Sequence, residues 1–302
     1  MKTKEQRDLT THTSFARYDF YMRKTKQFII SFVLFMLIGL IFVCGLLLGY
    51  FASIVSDSKS LNDHDLVQQV TRLPELDNDQ PDNTDYIALY NEQEPSLIAG
   101  PAEVSPYVTK ALVASEDADF YVHHGVLPKA ILRAMFQDIF DTQFPTGGST
   151  ITQQLIKNQV LTKERTYDRK AKEIMYAMRI EHILTKDEII FTYLNLVPFG
   201  LDTNGQNVTG ITSASYGLFG KPPKTLNLAE SAYLIGLLQS PYAYTPFNHD
   251  GSLKHEDDVI FSIHRQHYVL KRMLVEQMIS KDAYDKAVHY DIYAHLYENW
   301  TV

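Results

Sequence analysis

The run from Gln27 to Val55, QFIISFVLFMLIGLIFVCGLLLGYFASIV, contains no charged residue. It exceeds the roughly 20 apolar residues that span a bilayer, so this part of the chain is expected to be one membrane-crossing helix. A cleaved signal peptide would have an apolar region of about 7–15 residues closed by a small-residue cleavage site. Neither feature is present, so the helix is read as a retained anchor. Arg23, Lys24 and Lys26 stand directly before it, and the positive-inside rule puts residues 1–26 in the cytoplasm and the rest outside.

Charge divides at the same place. Residues 1–26 carry seven Lys/Arg against three acids, which leaves −12 for the remainder of a chain whose net charge is −8. An acidic outer part argues against nucleic acid as a partner, because a basic stripe is the expected footprint. The single cysteine, Cys44, lies in the span, so the outer part has no thiol for a disulfide or a metal. Its stability must come from packing.

Beyond the anchor, residues 56–85 are acid-rich, carry Pro74 and Pro81, and show no sustained period. They read as a membrane-proximal stalk, with residues 86–302 as the outer domain. Asp85 to Gly100, DYIALYNEQEPSLIAG, suggests two short strands around a polar turn. From Pro106 the pattern becomes helical. YVTKALVASEDADFYVHHG, LPKAILRAMFQDIF, STITQQLIKNQVL, TYDRKAKEIMYAMRIEHIL, KDEIIFTYLNLV and LNLAESAYLIGLLQSP place apolar residues at i, i+3 and i+4. A further amphipathic pair follows between Asp257 and Tyr290. The fold class is therefore mainly α.

Three stretches carry side chains with chemistry to offer. In ASEDADFYVHHGV, Glu116, Asp117 and Asp119 cluster beside His123 and His124. Like charges at close range push a carboxyl group toward use as a general base. Adjacent histidines seldom point the same way on a helix, and no HExxH spacing is present, so the pair reads as packing or hydrogen-bonding rather than metal-ligating. In TYDRKAKE, Arg169, Lys170 and Lys172 crowd Glu173, with Arg165 a turn earlier. That face suits a multiply charged anion, or simply solvent. In PTGGSTITQQLIKN, a Gly-Gly-Ser-Thr turn enters a helix and offers N–H groups and hydroxyls to an anion, with Lys157 two turns on. No G-K-[ST] follows the glycines, so it is not a P-loop.

These stretches, with KDEIIFTYLNLVPFG and LNLAESAYLIGLLQSPYAYTPF, occur in the order of the five motifs of the peptidoglycan glycosyltransferase family, and the chain resembles that family over roughly residues 105–250. The family includes monofunctional transglycosylases and the polymerase domain of bifunctional penicillin-binding proteins. The resemblance implies a lysozyme-like, all-α fold and polymerisation of lipid II into β-1,4-linked glycan, with membrane lipid, the nascent strand and cell-wall synthesis proteins as partners. It implies that Glu116 is the general base and that Glu173 assists on the donor side. It also implies that Lys157 and Arg165, with a divalent cation such as Mg or Mn that no dedicated protein site holds, stabilise the departing pyrophosphate. Arg133, Ser149, Thr150, Gln153 and Gln154 are implied substrate contacts.

Two positions depart from the family pattern. Leu127 stands where relatives commonly carry Asp, and Ala118-Asp119 replaces a frequently basic pair. In LPKAILRAMFQDIF, the stripe of Ile131, Met135 and Ile139 beside Leu132, Phe136 and Phe140 could enter a membrane interface or form domain core. SDSK and SLN near residue 56 read as chance matches to transpeptidase motifs, and no K-T-G occurs. No transpeptidase domain is therefore expected in these residues.

Overall fold

The computed structural model describes residues 4–57, 61–72, 98–129, 148–162 and 166–298. The chain forms two units, residues 1–60 and 61–302. In the first, one helix, α1, runs from Lys4 to Asp57. Its stretch Arg17–Tyr50 is long and apolar enough to cross a membrane, with apolar side chains exposed all round, as at Phe28, Phe35 and Leu48. A helix that is apolar on every face has no water-facing side. The expected span lies within α1, and the helix continues back through most of the basic segment.

The second unit begins with α2, Asp63–Val70, capped by Asn62, whose side chain accepts from the Asp65 N–H at 2.8 Å. For residues 61–72 this departs from the reading of 56–85 as stalk, and residues 73–85 lie outside the described residues. Leu66 and Val70 sit one helical turn apart and are fully buried. The Arg179 guanidinium also holds the Leu61 carbonyl and the Asp63 carboxylate. The acids that made this segment look like a linker cover only its outer face. The expected strands at 85–100 lie outside the described residues except at Ile98–Gly100. There the Asn195 side chain takes the Ala99 N–H at 3.0 Å and returns a bond to the Ala99 carbonyl at 3.1 Å.

Then come α3 (Pro106–Glu116), α4 (Ile151–Gln159), α5 (Tyr167–Ile183) and α6 (Lys186–Leu196). A short antiparallel hairpin, β1 Pro198–Leu201 with β2 Asn207–Thr209, separates these from α7 (Ile211–Phe219), α8 (Leu228–Leu237), α9 (Pro241–Tyr244), α10 (Glu256–Val275), α11 (Lys281–Val288) and α12 (Ile292–Glu298). The starts of α4, α6 and α8 carry the same signature. Thr150 with Gln153, Thr185 with Glu188 and Asn227 with Glu230 form reciprocal capping boxes, each satisfying two N–H groups that a helix start leaves open.

Helices α3, α8 and α10 pack mutually, and α4 packs on α5, α2 and α6. The core is continuous between the two groups, through Leu112, Phe120, Leu155, Ile180, Tyr193 and Leu234. Two expectations need correction. The helix expected to run from Tyr107 to His124 stops at Glu116, because Asp117 turns away to bond elsewhere (φ −157, ψ 75). Helix α7 was not foreseen; Gly210 and Gly220 bound it, the latter in the left-handed region. The apolar stripe at 131–140 lies outside the described residues.

Candidate active site

The break after α3 leaves Glu116 on the last helical position, with its side chain largely covered. Gln154 of α4 donates to Glu116 Oε2 at 2.9 Å. Arg265 of α10 approaches Oε1 at 3.4 Å, and its guanidinium lies over the Tyr268 ring, 4.3 Å from the centroid. Gln154 is itself held, because the Tyr193 hydroxyl of α6 donates to its Oε1 at 2.9 Å.

The turn beyond Glu116 is fastened to the start of α4. Asp117 Oδ2 accepts the Ile151 N–H at 3.0 Å and pairs with His123 Nε2 at 2.8 Å. The Gly125 N–H donates to His123 Nδ1 at 3.1 Å, so the ring proton sits on Nε2 and goes to Asp117. Thr150 donates its hydroxyl to the Gly125 carbonyl at 2.6 Å. Glu181, also buried, accepts from Thr152 and pairs with Lys186, each at 2.5 Å. Gly125 is required here: its φ is +88, and a Cβ would lie 2.5 Å from the Ala177 carbonyl oxygen. Only glycine adopts such a conformation without strain.

Glu173 of α5 is 1% exposed. Lys170 bonds its Oε1, Arg169 lies 3.5 Å from Oε2, and Gln153 donates to Oε1 at 3.2 Å. A buried carboxylate persists when cations and donors surround it. The adjacent amides Gln153 and Gln154 therefore each hold one of the two glutamates. Among the described residues no group of three His, Cys, Asp or Glu side chains could hold a metal ion. Around Glu173 the neighbours are cations, which does not fit a divalent ion held by protein.

A family model, Transglycosylase, matches residues 83–274. The chain belongs to the transglycosylase family. Similar proteins include penicillin-binding protein 1A of Escherichia coli K12, 38% identical over 184 residues, or 61% of this chain and 20% of that one. Penicillin-binding protein 1F of Bacillus subtilis 168 is 39% identical over 60% of this chain and 24% of its own length. Penicillin-binding protein 1A of Clostridium perfringens strain 13 is 36% identical over 73% of this chain and 32% of its own. The chain thus spans between about a fifth and a third of the length of these relatives. Its mainly α domain has the lysozyme-like fold of the transglycosylase family.

In this transglycosylase domain Glu116, Glu173, Gln153, Gln154, Ser149 and Thr150 are gathered around α4. Two of them differ from the expected role. Thr150 and Gln153 are buried, their polar atoms committed to the capping box, Gly125 and Glu173, so they support the site rather than line it. The turn into α4 differs too. The Ile151 N–H is taken by Asp117 and the Gln153 N–H by Thr150, while the half-buried Ser149 accepts from Lys170 at 3.2 Å. Lys157 is exposed one turn beyond Gln153. Arg165 and Arg133 lie outside the described residues.

Among the described residues the cations that touch Glu173 are Arg169 and Lys170. Their i−4 and i−3 spacing was the signal for this. Tyr193 and Arg265 were not foreseen, since the first lies in an almost wholly apolar run and the second comes from a helix 149 residues away in sequence from Glu116.

Proposed function

We propose that this chain polymerises lipid II into β-1,4-linked glycan, with inversion at the donor anomeric carbon and release of undecaprenyl pyrophosphate. The observation that carries the reading is the unlike setting of two carboxylates. Among the described residues Glu116 is held by one amide and one loosely placed guanidinium, and Glu173 is buried among cations. Environments this unlike suit one carboxylate to proton transfer and the other to organising charge.

Glu116 takes the proton of the acceptor's N-acetylglucosamine 4-hydroxyl. The freed oxygen attacks the donor C1, and the C1–O bond to pyrophosphate breaks with its electron pair leaving on the phosphate. Lys170 and Arg169, oriented by Glu173, meet that developing charge together with Lys157 and Arg165. A divalent cation bound with the substrate would supply further positive charge toward the leaving pyrophosphate. Helix α1 anchors the chain with its basic end in the cytoplasm and the domain on the outer face, where both lipid-linked substrates lie.

Full-length protein in detergent, given labelled lipid II and Mg, tests this directly. Polymer that muramidase degrades is expected from the wild type and not from Glu116→Gln. Release of soluble muropeptides from isolated sacculi would replace polymerisation with a lytic activity on the same fold. Absence of both activities in a folded, lipid-II-binding protein would leave a scaffold.

A further inference from the structure

The side-chain amides of Gln153 and Gln154 are held in the same manner. Each offers its oxygen to a donor and its nitrogen to a carboxylate. For Gln153 the donor is the backbone N–H of Thr150, at 3.1 Å, and for Gln154 it is the Tyr193 hydroxyl, at 2.9 Å. An amide turned the other way would set its oxygen against the Glu116 carboxylate, two acceptors without a proton between them. Tyr193 is 1% exposed and belongs to the same buried core as Leu155, Ile190 and Leu194. Burial pushes its ionisation well above the ordinary range, and the nearby Glu116 charge pushes it further. The hydroxyl therefore keeps its proton and remains a donor at every working pH.

We infer that Tyr193 is a positioning residue for Glu116: its hydroxyl fixes the Gln154 amide, which holds Glu116 Oε2 and leaves Oε1 to meet the substrate. Among the described residues Oε1 has only the 3.4 Å approach of Arg265, long for a charge-assisted hydrogen bond, so it is the oxygen better placed to receive a proton. Tyr193 touches no reacting atom in this arrangement. The hydrogen-bonded route to Glu116 runs through Gln154, and the inference rests on Glu116 acting as the base.

The test is a double-mutant cycle on lipid II polymerisation by the full-length protein in detergent. Tyr193→Phe keeps the buried ring and removes the hydroxyl. Gln154→Met keeps the length of the side chain and removes the amide. Each alone is expected to lower kcat about tenfold, the scale of a partly misplaced general base, with the lipid II KM unchanged. Tyr193→Phe added to Gln154→Met is expected to cost nothing further, since residues acting in series are not additive. The same tenfold loss from Tyr193→Phe in both backgrounds, or wild-type kcat in either single variant, overturns the inference and leaves the polymerase reading standing. Wild-type protein that makes no polymer overturns both. Should Tyr193→Phe not fold, Gln154→Met still decides, because an unchanged kcat there removes the link to Glu116.

Discussion

Gln154 donates its side-chain amide to Glu116 at 2.9 Å, and the residue before it does the same for Glu173 at 3.2 Å. Adjacent helical positions diverge by about 100°, so the first turn of α4 reaches two carboxylates carried by different helices, α3 and α5. The mutual placement of these acids depends on one short helix and on how its start is capped.

Gln153→Ala removes the reciprocal cap and the donor to buried Glu173 together. A destabilisation of about 1–3 kcal/mol is expected from the two losses, read as a lower urea midpoint with unchanged slope. Stability equal to wild type would mean that water replaces the amide at both ends.

Lys170→Met leaves Glu173 with Arg169 and Gln153 as its charged and polar partners. Losing one side of a fully buried pair costs about 3–5 kcal/mol. Because the Lys170 side chain is 41% exposed, solvent screening reduces the expected loss to about 1–2 kcal/mol. Combining it with Glu173→Leu should recover part of this loss in thermal melts, while polymerisation should fall in both variants.

Leu66→Ala tests whether residues 61–72 belong to the folded domain. The side chain is fully buried, so about 2–5 kcal/mol should be lost. A segment acting as a free stalk would show no change in the melting curve.

Gly125→Ala places a Cβ 2.5 Å from the Ala177 carbonyl oxygen at a φ of +88. The expected cost is about 2 kcal/mol or more. The loop that fastens Asp117 and His123 to α4 should then lose protection from hydrogen exchange ahead of the rest of the domain.

His267 supplies a pH dependence away from the site. Burial lowers its pKa, and the neighbouring His264 and His289 lower it further, against a raising contribution from the Val288 backbone. A base depressed in the folded state binds fewer protons than in the unfolded chain, so stability rises with pH. Its contribution is complete above the ordinary imidazole value of about 6.5 and is lost as pH falls through the lower folded value. His267→Gln should flatten the urea midpoint between about pH 7 and pH 5, and an undiminished slope would assign the dependence to other groups.

Helix α5 and the capping boxes at Thr150, Thr185 and Asn227 could be read directly from the sequence, because their signals are local: apolar residues a turn apart, and a polar side chain facing Glu or Gln three positions on. Helix α2 could not, since eight residues rich in acid hide the Leu66 and Val70 stripe. The end of α3 was equally hidden. What stops the helix at Glu116 is the Ile151 N–H and His123 drawing Asp117 away, and the first of these partners lies 34 positions along the chain. The cations beside Glu173 were legible for the opposite reason, since their spacing is local. Helical spacing puts Lys170 and Arg169 against Glu173, while the role expected of Lys157 and Arg165 at the pyrophosphate rests on the motif. Tyr193 stayed invisible because, within the buried run Ile189–Leu196, a tyrosine looks like any other core residue.

The capping box at Thr150 makes helix fraying and site disassembly a single event. When the first turn of α4 opens, Gln153 lets go of Glu173 and its neighbour loosens from Glu116, while most of the core is untouched. Catalytic competence therefore has its own local melting equilibrium beneath that of the domain. The Gln153 backbone amide, bonded to Thr150 at 3.1 Å, is a natural clock for it: its exchange with deuterium counts how often the two carboxylates lose their common support.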